Sequence, residues 1–441
     1  MPFYFLNLFS MNLLSCFSVF LGLLTISLKA QNTPAPIKLV DIVLTANHPD
    51  WNYKLNEEAT VKISVLRYGS PVENVEIEYQ YGPEQLAPEK KAVLQLQNGV
   101  GEINIGTMNI PGFRQLKVQA KIDGYVYKDE INVGFAPFEI QPTVNMPKDF
   151  DNFWKKAIAE NNKIPMDAVV THKPELSTAT VDVYLVRLQN YQLGQYLYGY
   201  LSKPKDNKPH PVLLNPPGAG VKKITPITSF AEQGFISLTT EIHGISPEMD
   251  EKDFQKEREK LKDYWSINLD NKDNYYYKSV YLGCVRAIDF LTTLPEFDKK
   301  NVVVTGGSQG GALTIVTAGI DKRVNYISSF YPALSDNSGY LNNRAGGWPS
   351  MFSDKNKNNS PEKIKTMEYY DVVNFAKKIT IPGFYSTGYN DNTCPPTSTL
   401  SAFNSVKAPK EIVITPISSH WRFKETDDKS MKWLKEKCGI E

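Results

Sequence analysis

A serine, an aspartate and a histidine stand along this chain in an order that suits nucleophilic acyl transfer. Ser308 lies in Thr305-Gly306-Gly307-Ser308-Gln309-Gly310-Gly311, directly after Val302-Val303-Val304. A short Val-rich run of this kind reads as a parallel strand buried on both faces. The flanking glycines relieve the crowding of a sharp strand-to-helix turn, where a serine is held strained with its hydroxyl exposed. Residues 312–316 then open a helix. Strand, Gly-x-Ser-x-Gly and helix together make Ser308 the candidate nucleophile.

A serine hydroxyl at its ordinary pKa needs an adjacent base, itself oriented by an acid. Of the five histidines only His420 follows Ser308. It sits in Ser418-Ser419-His420-Trp421, after the predicted strand 411–415, and is the candidate base. Asp336, Asp354, Asp371 and Asp391 all lie between the two. Asp391 comes directly after the predicted strand 379–386, at the C-terminal end where open α/β sheets place their sites, and is favoured as the acid. Asp371 precedes a helix-like stretch and reads as a cap or a solvated charge.

An oxyanion needs two donors. The backbone N–H of Gln309 follows the nucleophile. Leu213-Leu214-Asn215-Pro216-Pro217-Gly218-Ala219-Gly220 forms the loop after an early strand, with the Ala219 N–H as the second candidate. Glu241-Ile242-His243-Gly244 ends the next strand on the same face, so His243 is a candidate for the pocket wall, as is Trp421 beside the base. No His/Cys/Asp/Glu group has metal-ligand spacing, and no Lys-Ser/Thr follows the glycines as in a phosphate loop. No cofactor and no metal are expected.

These residues need a frame, and 441 residues are enough for two domains. With 41% hydrophobic and 22% charged residues and a formal net charge of +1, the chain has ample core and no electrostatic footprint for nucleic acid or an anionic membrane. Residues 1–30 read as a signal peptide: 13–28 are almost wholly apolar or small, and Lys29-Ala30-Gln31 ends them. Export to the periplasm, cell surface or medium is therefore expected, with no membrane span after cleavage. Three cysteines remain then, too few for a disulfide framework.

Within a first domain placed at 31–140, residues 36–135 alternate in the period-2 manner of half-buried strands. Val75, Ile77, Tyr79 and Tyr81 share one face, as do Leu116, Val118, Ala120 and Ile122, and Asp123-Gly124 reads as a hairpin turn. About seven short strands indicate an immunoglobulin-like β-sandwich. Over 141–441 strands alternate with helices, the grammar of an α/β-hydrolase with a mostly parallel, doubly wound sheet. Strands are predicted at 181–188, 196–202, 211–214, 235–238 and 302–305 besides those named above. Residues 149–159 and 275–294 read as helices, and 246–274 as a charged lid or a solvated excursion.

Beyond these patterns, longer strings resemble the acetyl xylan esterase/cephalosporin-C deacetylase group, carbohydrate esterase family 7. They are Met146-Pro147-Lys148-Asp149-Phe150 with Phe153-Trp154, Tyr275-Tyr276-Tyr277, Gly306-Gly307-Ser308-Gln309-Gly310-Gly311 and Asp391-Asn392-Thr393-Cys394-Pro395-Pro396. The resemblance covers most of 145–440. It implies Ser308, Asp391 and His420 as nucleophile, acid and base, Ala219 and Gln309 as oxyanion donors, and removal of acetyl groups from sugar hydroxyls. It also implies a homo-oligomer, and the added β-domain stands either to block that oligomer or to reshape the cleft. Three positions depart from the family: His243-Gly244-Ile245 replaces Arg-Gly-Gln, Pro217-Gly218-Ala219 replaces His-Gly-Tyr, and Trp421 replaces a glutamate.

The expected function is thus an exported serine esterase acting on an acetylated carbohydrate or a small acyl ester. A general short-chain carboxylesterase, a prolyl-oligopeptidase-like peptidase and a non-catalytic glycan-binding protein are the alternatives. The β-domain is short for a propeller, which disfavours the peptidase, and a complete triad disfavours the last.

Overall fold

The computed structural model describes residues 38–440 apart from 355 and 357. The segment read as a signal peptide lies outside the described residues.

Nine strands form the N-terminal unit: β1 Val40–Ala46, β2 Asn52–Tyr53, β3 Ala59–Arg67, β4 Ser70–Pro71, β5 Val75–Pro83, β6 Lys90–Leu96, β7 Val100–Gly106, β8 Gly112–Ile122 and β9 Tyr125–Phe135. They make two sheets. One carries β1-β3-β4 with β7 also paired to β3, and the other runs β2-β9-β8-β5-β6. Alternation sets the packing. Val61, Ile63 and Val65 of the first sheet and Ile77, Leu116, Ile131 and Val133 of the second share one buried core. Asp123-Gly124 turns β8 into β9, both residues at positive φ (50° and 83°), as a two-residue hairpin loop requires.

A nine-stranded sheet forms the second unit: β10 Val169–His172, β11 Val181–Gln189, β12 Tyr196–Pro204, β13 His210–Asn215, β14 Ile236–Thr240, β15 Phe297–Gly307, β16 Tyr326–Phe330, β17 Gly383–Gly388 and β18 Lys410–Thr415. Their order is β10-β11-β12-β14-β13-β15-β16-β17-β18. β10 to β12 are antiparallel, as is the β12–β14 pair; from β14 onward all neighbours are parallel. This is the mostly parallel sheet of an α/β-hydrolase. The helices Tyr276–Leu291 and Gln309–Ile320 pack beside β13 and β15, and their buried residues merge with the strands into one core.

The structure differs from the sequence reading in several places, beginning with nine strands in the sandwich where about seven were expected. β10 and β16 are additional strands: β10 is a short exposed edge, and β16 carries two serines where a buried strand usually carries apolar residues. Both are fully buried and bonded, Ser328 to Ser430 at 2.5 Å and Ser329 to the Gly311 carbonyl at 2.9 Å. β17 starts at Gly383 rather than 379, directly after Pro382, which has no N–H to give to the sheet. Within 246–274 lies a mostly exposed helix, Glu251–Lys260, but Phe254 and Tyr264 of the segment are buried.

Candidate active site

β15 ends at Gly307 and the helix starting at Gln309 follows at once, leaving Ser308 alone at the turn with φ 59° and ψ −124°. A side chain at positive φ is strained, and such strain is what lifts a nucleophile out of the sheet edge. The glycines make the turn sterically feasible. A Cβ at Gly306 would stand 2.7 Å from the Gly310 carbonyl group, and one at Gly310 would stand 2.5 Å from the Pro216 carbonyl oxygen.

His420 lies in the loop after β18, and its Nε2 is 2.9 Å from the Ser308 Oγ. Its Nδ1 is 2.8 Å from Asp391 Oδ2. A carboxylate only accepts, so Nδ1 carries the proton and Nε2 is free to receive that of the serine. Asp391 is fully buried in the loop after β17. Its other oxygen accepts the Thr393 and Cys394 backbone N–H groups, each at 2.8 Å. Three strand ends thus bring together three residues spread over more than a hundred positions. Asp371 is elsewhere: it caps the helix Val372–Ala376 through the Val373 N–H and accepts from Asp336 N–H and Asn337 N–H. Burial pushes its carboxyl up to about 6.

Asp391, Cys394 and His420 also offer ligand-type atoms within 4.8 Å of one another, a grouping that the sequence spacing did not reveal. The set fits a metal poorly. Asp391 already accepts from the Thr393 and Cys394 N–H groups and from His420 Nδ1, and burial pushes the Cys394 thiol well up, keeping it protonated beside Ser308.

The Gln309 N–H heads its helix and so has no intrahelical acceptor. The loop after β13 lies against that helix end. Gly220 N–H is taken by the Tyr264 hydroxyl at 3.2 Å, and the Pro217 and Gly218 carbonyls accept the Gln309 side-chain amide at 3.4 and 3.3 Å. Between them the Ala219 N–H bonds to none of the described residues. The Gln309 side-chain oxygen in turn accepts from the Tyr264 and Tyr277 hydroxyls at 2.6 and 2.7 Å. Tyr264 thus ties the loop to the nucleophile turn and Tyr277 braces the Gln309 side chain, functions that spacing could not reveal. Tyr264 lies in the charged excursion and Tyr277 on the buried side of a long helix.

A cavity of about 450 Å³ opens over Ser308 and His420, walled by Pro217, His243, Tyr331 and Arg422 among others. His243 is where the sequence placed it. Its Nδ1 bonds to the Tyr276 hydroxyl at 2.7 Å, its Nε2 is buried without a partner, and burial pushes it down to about 4, so the ring is neutral at pH 7. Glu241 holds the turn before it, accepting from Tyr198 N–H, His243 N–H and Ile245 N–H. Burial pushes that carboxyl up to about 7. Trp421, by contrast, does not line the cavity. It is 44% exposed and stacks edge-on against Phe423. The chain makes a tight turn after the base, with Trp421 N–H bonded to Ser419 O. Arg422 turns inward instead, its guanidinium 4.1 Å from the Phe330 ring centre and bonded to the Tyr331 hydroxyl at 2.6 Å.

Fold and site together define an α/β-hydrolase with a serine hydroxyl, an imidazole and a buried carboxylate in one hydrogen-bonded line. Residues 138–437 match the model of the acetyl xylan esterase family (AXE1), and the chain belongs to that family of carboxylic ester hydrolases. It is 46% identical over 396 residues to the acetyl esterase Axe7A of Xylanibacter ruminicola, an alignment covering 88% of this chain and 89% of that one. An alignment so long runs through much of the sandwich as well. Two solved structures share the fold. The acetyl xylan esterase from Paenibacillus sp. R4 has a TM-score of 0.59 at 24% identity, covering 68% of this chain and 98% of its own. Acetyl xylan esterase 1 from Thermoanaerobacterium sp. JW/SL YS485 has a TM-score of 0.59 at 22% identity, covering 68% and 97%.

Proposed function

We propose that this chain is an exported serine esterase that removes acetyl groups from carbohydrate esters. In this reading Ser308 Oγ attacks the ester carbonyl carbon while His420 Nε2 takes its proton. The oxyanion that forms sits between the Gln309 and Ala219 N–H groups. Collapse expels the sugar hydroxyl, which takes the proton back from His420, and leaves an acetyl ester on Ser308. Water, deprotonated by His420, attacks that ester, and acetate and the free serine result. Asp391 holds the imidazole in the right tautomer and stabilises its protonated form.

The hydrogen-bonded line from Asp391 through His420 to Ser308 is the observation that carries the reaction. The walls support a sugar. The cavity shares Ile242 and His243 with a second depression of about 700 Å³, lined by Asn190, Gln195, Asn268, Asn271 and Asn274 together with Asp270. Neutral amides that both donate and accept are suited to hydroxyls, not to ions or acyl tails. Export rests on the apolar N-terminal segment. Among the described residues no helix is long and apolar enough to cross a membrane.

Acetate release from a panel of acetylated glycans, with Ser308→Ala as control, tests the reading. Ser308-dependent release is expected. Turnover of p-nitrophenyl butyrate without acetate release from any glycan would leave a general esterase in its place.

A further inference from the structure

The loop that carries Asp391 lies between two partners. On one side the backbone N–H groups of Tyr389 and Asn390 bond to the carbonyls of Pro416 and Ser418, both at 3.2 Å, in the segment that leads to His420. On the other side the loop meets the β-sandwich. Asn132 of β9 donates its backbone N–H to Asn390 Oδ1 at 2.8 Å and its side-chain amide to the Tyr389 carbonyl at 2.6 Å. Gln115 of β8 donates to Asn392 Oδ1 at 3.0 Å, and Gln85 donates to the Asn392 carbonyl at 2.7 Å. Phe113 sets its ring edge-on to Tyr389 at 4.8 Å. The sandwich therefore grips residues 389, 390 and 392 and leaves Asp391 free to face His420.

The Asn132 side-chain bond is buried, and the Gln85 bond lies at the exposed rim. Asn132 is 0% exposed and Gln115 6%. On β9 its neighbours Ile131 and Val133 point into the sandwich core, so Asn132 faces the opposite way, onto the loop. Glu84, fully enclosed, accepts the Thr397 N–H at 3.4 Å. It thereby caps the helix Pro396–Ser405, whose own N-cap is Pro395 with no side-chain hydrogen bond to offer. The segment is held on both sides of the acid by residues more than 250 positions earlier in the chain.

We propose that the β-sandwich positions the catalytic acid, with Asn132 as the principal positioning residue: it fixes the Tyr389–Asn392 loop so that Asp391 meets His420 Nδ1. The proposal rests on the reading of Ser308, His420 and Asp391 as a triad. Removing the grip leaves the nucleophile turn and the cavity untouched, so its effect falls on the chemical step and not on binding. A small displacement of an orienting group costs about a hundredfold when geometry is the source of rate.

The test is a cycle of Asn132→Leu and Asp391→Asn, assayed on p-nitrophenyl acetate so that the natural substrate does not matter. Asn132→Leu is expected to lower kcat about ten- to a hundredfold with KM unchanged. In the Asp391→Asn background the same substitution should cost almost nothing. Gln85→Ala at the rim of the interface gives a milder loss of the same kind if Asn132→Leu does not fold, and Gln119→Ala, on the same sheet away from the loop, should be silent. An unchanged kcat in the folded variant, or an equal fractional loss with and without the Asp391 carboxylate, would overturn the proposal. Full activity of Asp391→Asn alone would instead overturn the triad.

Discussion

The two sheets of this protein handle polar residues by different rules. In the hydrolase sheet, β13 to β17 are buried on both faces, so their polar side chains lie inside the core: Ser328 and Ser329 find partners there, whereas the hydroxyls of Ser237, Thr239, Tyr385 and Ser386 find none among the described residues. The chemistry is displaced to the strand ends, where Ser308, Asp391 and His420 stand on the loops after β15, β17 and β18. In the sandwich one face of each strand is core and the other is free to be polar. Where β8 and β9 run along the hydrolase, that polar face is covered rather than solvated, and Gln115 and Asn132 spend their hydrogen bonds on the loop of the acid. Function therefore lies at strand ends in the parallel sheet and on a covered outer face in the sandwich.

The largest expected effect is at a strand end. Ser308→Ala and Asp391→Asn should each lower kcat by about 10⁴-fold or more, with the melting temperature little changed, as steady-state kinetics and calorimetry would show. Loss of stability in step with activity would mean that the site is part of the structural frame and would erase the contrast with the sandwich. Next comes the tether of the oxyanion loop. Gln309→Leu keeps the backbone donor but unties Pro217 and Gly218 and leaves the Tyr264 and Tyr277 hydroxyls without an acceptor. A fall in kcat of about 10²-fold is expected, near the cost of losing one oxyanion donor. A change in KM alone would place Gln309 in substrate binding instead.

The smallest effect belongs to the sandwich and is one of pH. Burial pushes the Glu84 carboxyl up to about 8, Asp391 adding to the rise and Thr397 and Arg344 opposing it. An acid that binds its proton more tightly when folded stabilises the fold fully below its ordinary pKa and loses that contribution as pH climbs through the folded value. The melting temperature should therefore fall between about pH 4.5 and 8, and Glu84→Gln should flatten the decline. Glu241 and Asp371, raised to about 7 and 6, contribute with the same sign, so some slope persists. Parallel curves for wild type and variant would mean that Glu84 is not held protonated at the interface.

The nucleophile turn was legible because its cause is local: a strained serine needs small neighbours, and Gly306 and Gly310 declare it. His420 was legible by order along the chain, and the sandwich by alternation. The Tyr264–Gln309–Tyr277 network was not, since its members lie 32 and 45 residues from Gln309 and look like core aromatics in a charged excursion and a helix. Nor was the grip on the acid's loop, because alternation marks Asn132 as solvent-facing and says nothing of what covers it. Trp421 misled because an aromatic next to the base looks like a pocket wall, whereas the tight turn after His420 sends Arg422 inward.

Covalent labelling of the folded protein with a fluorophosphonate, mapped by peptide mass, tests the central claim most directly. The account predicts a single adduct, on Ser308, formed rapidly in the wild type, slowed strongly in His420→Ala and absent in Ser308→Ala. An adduct on another residue, or labelling of Ser308 at the same rate without His420, would contradict it.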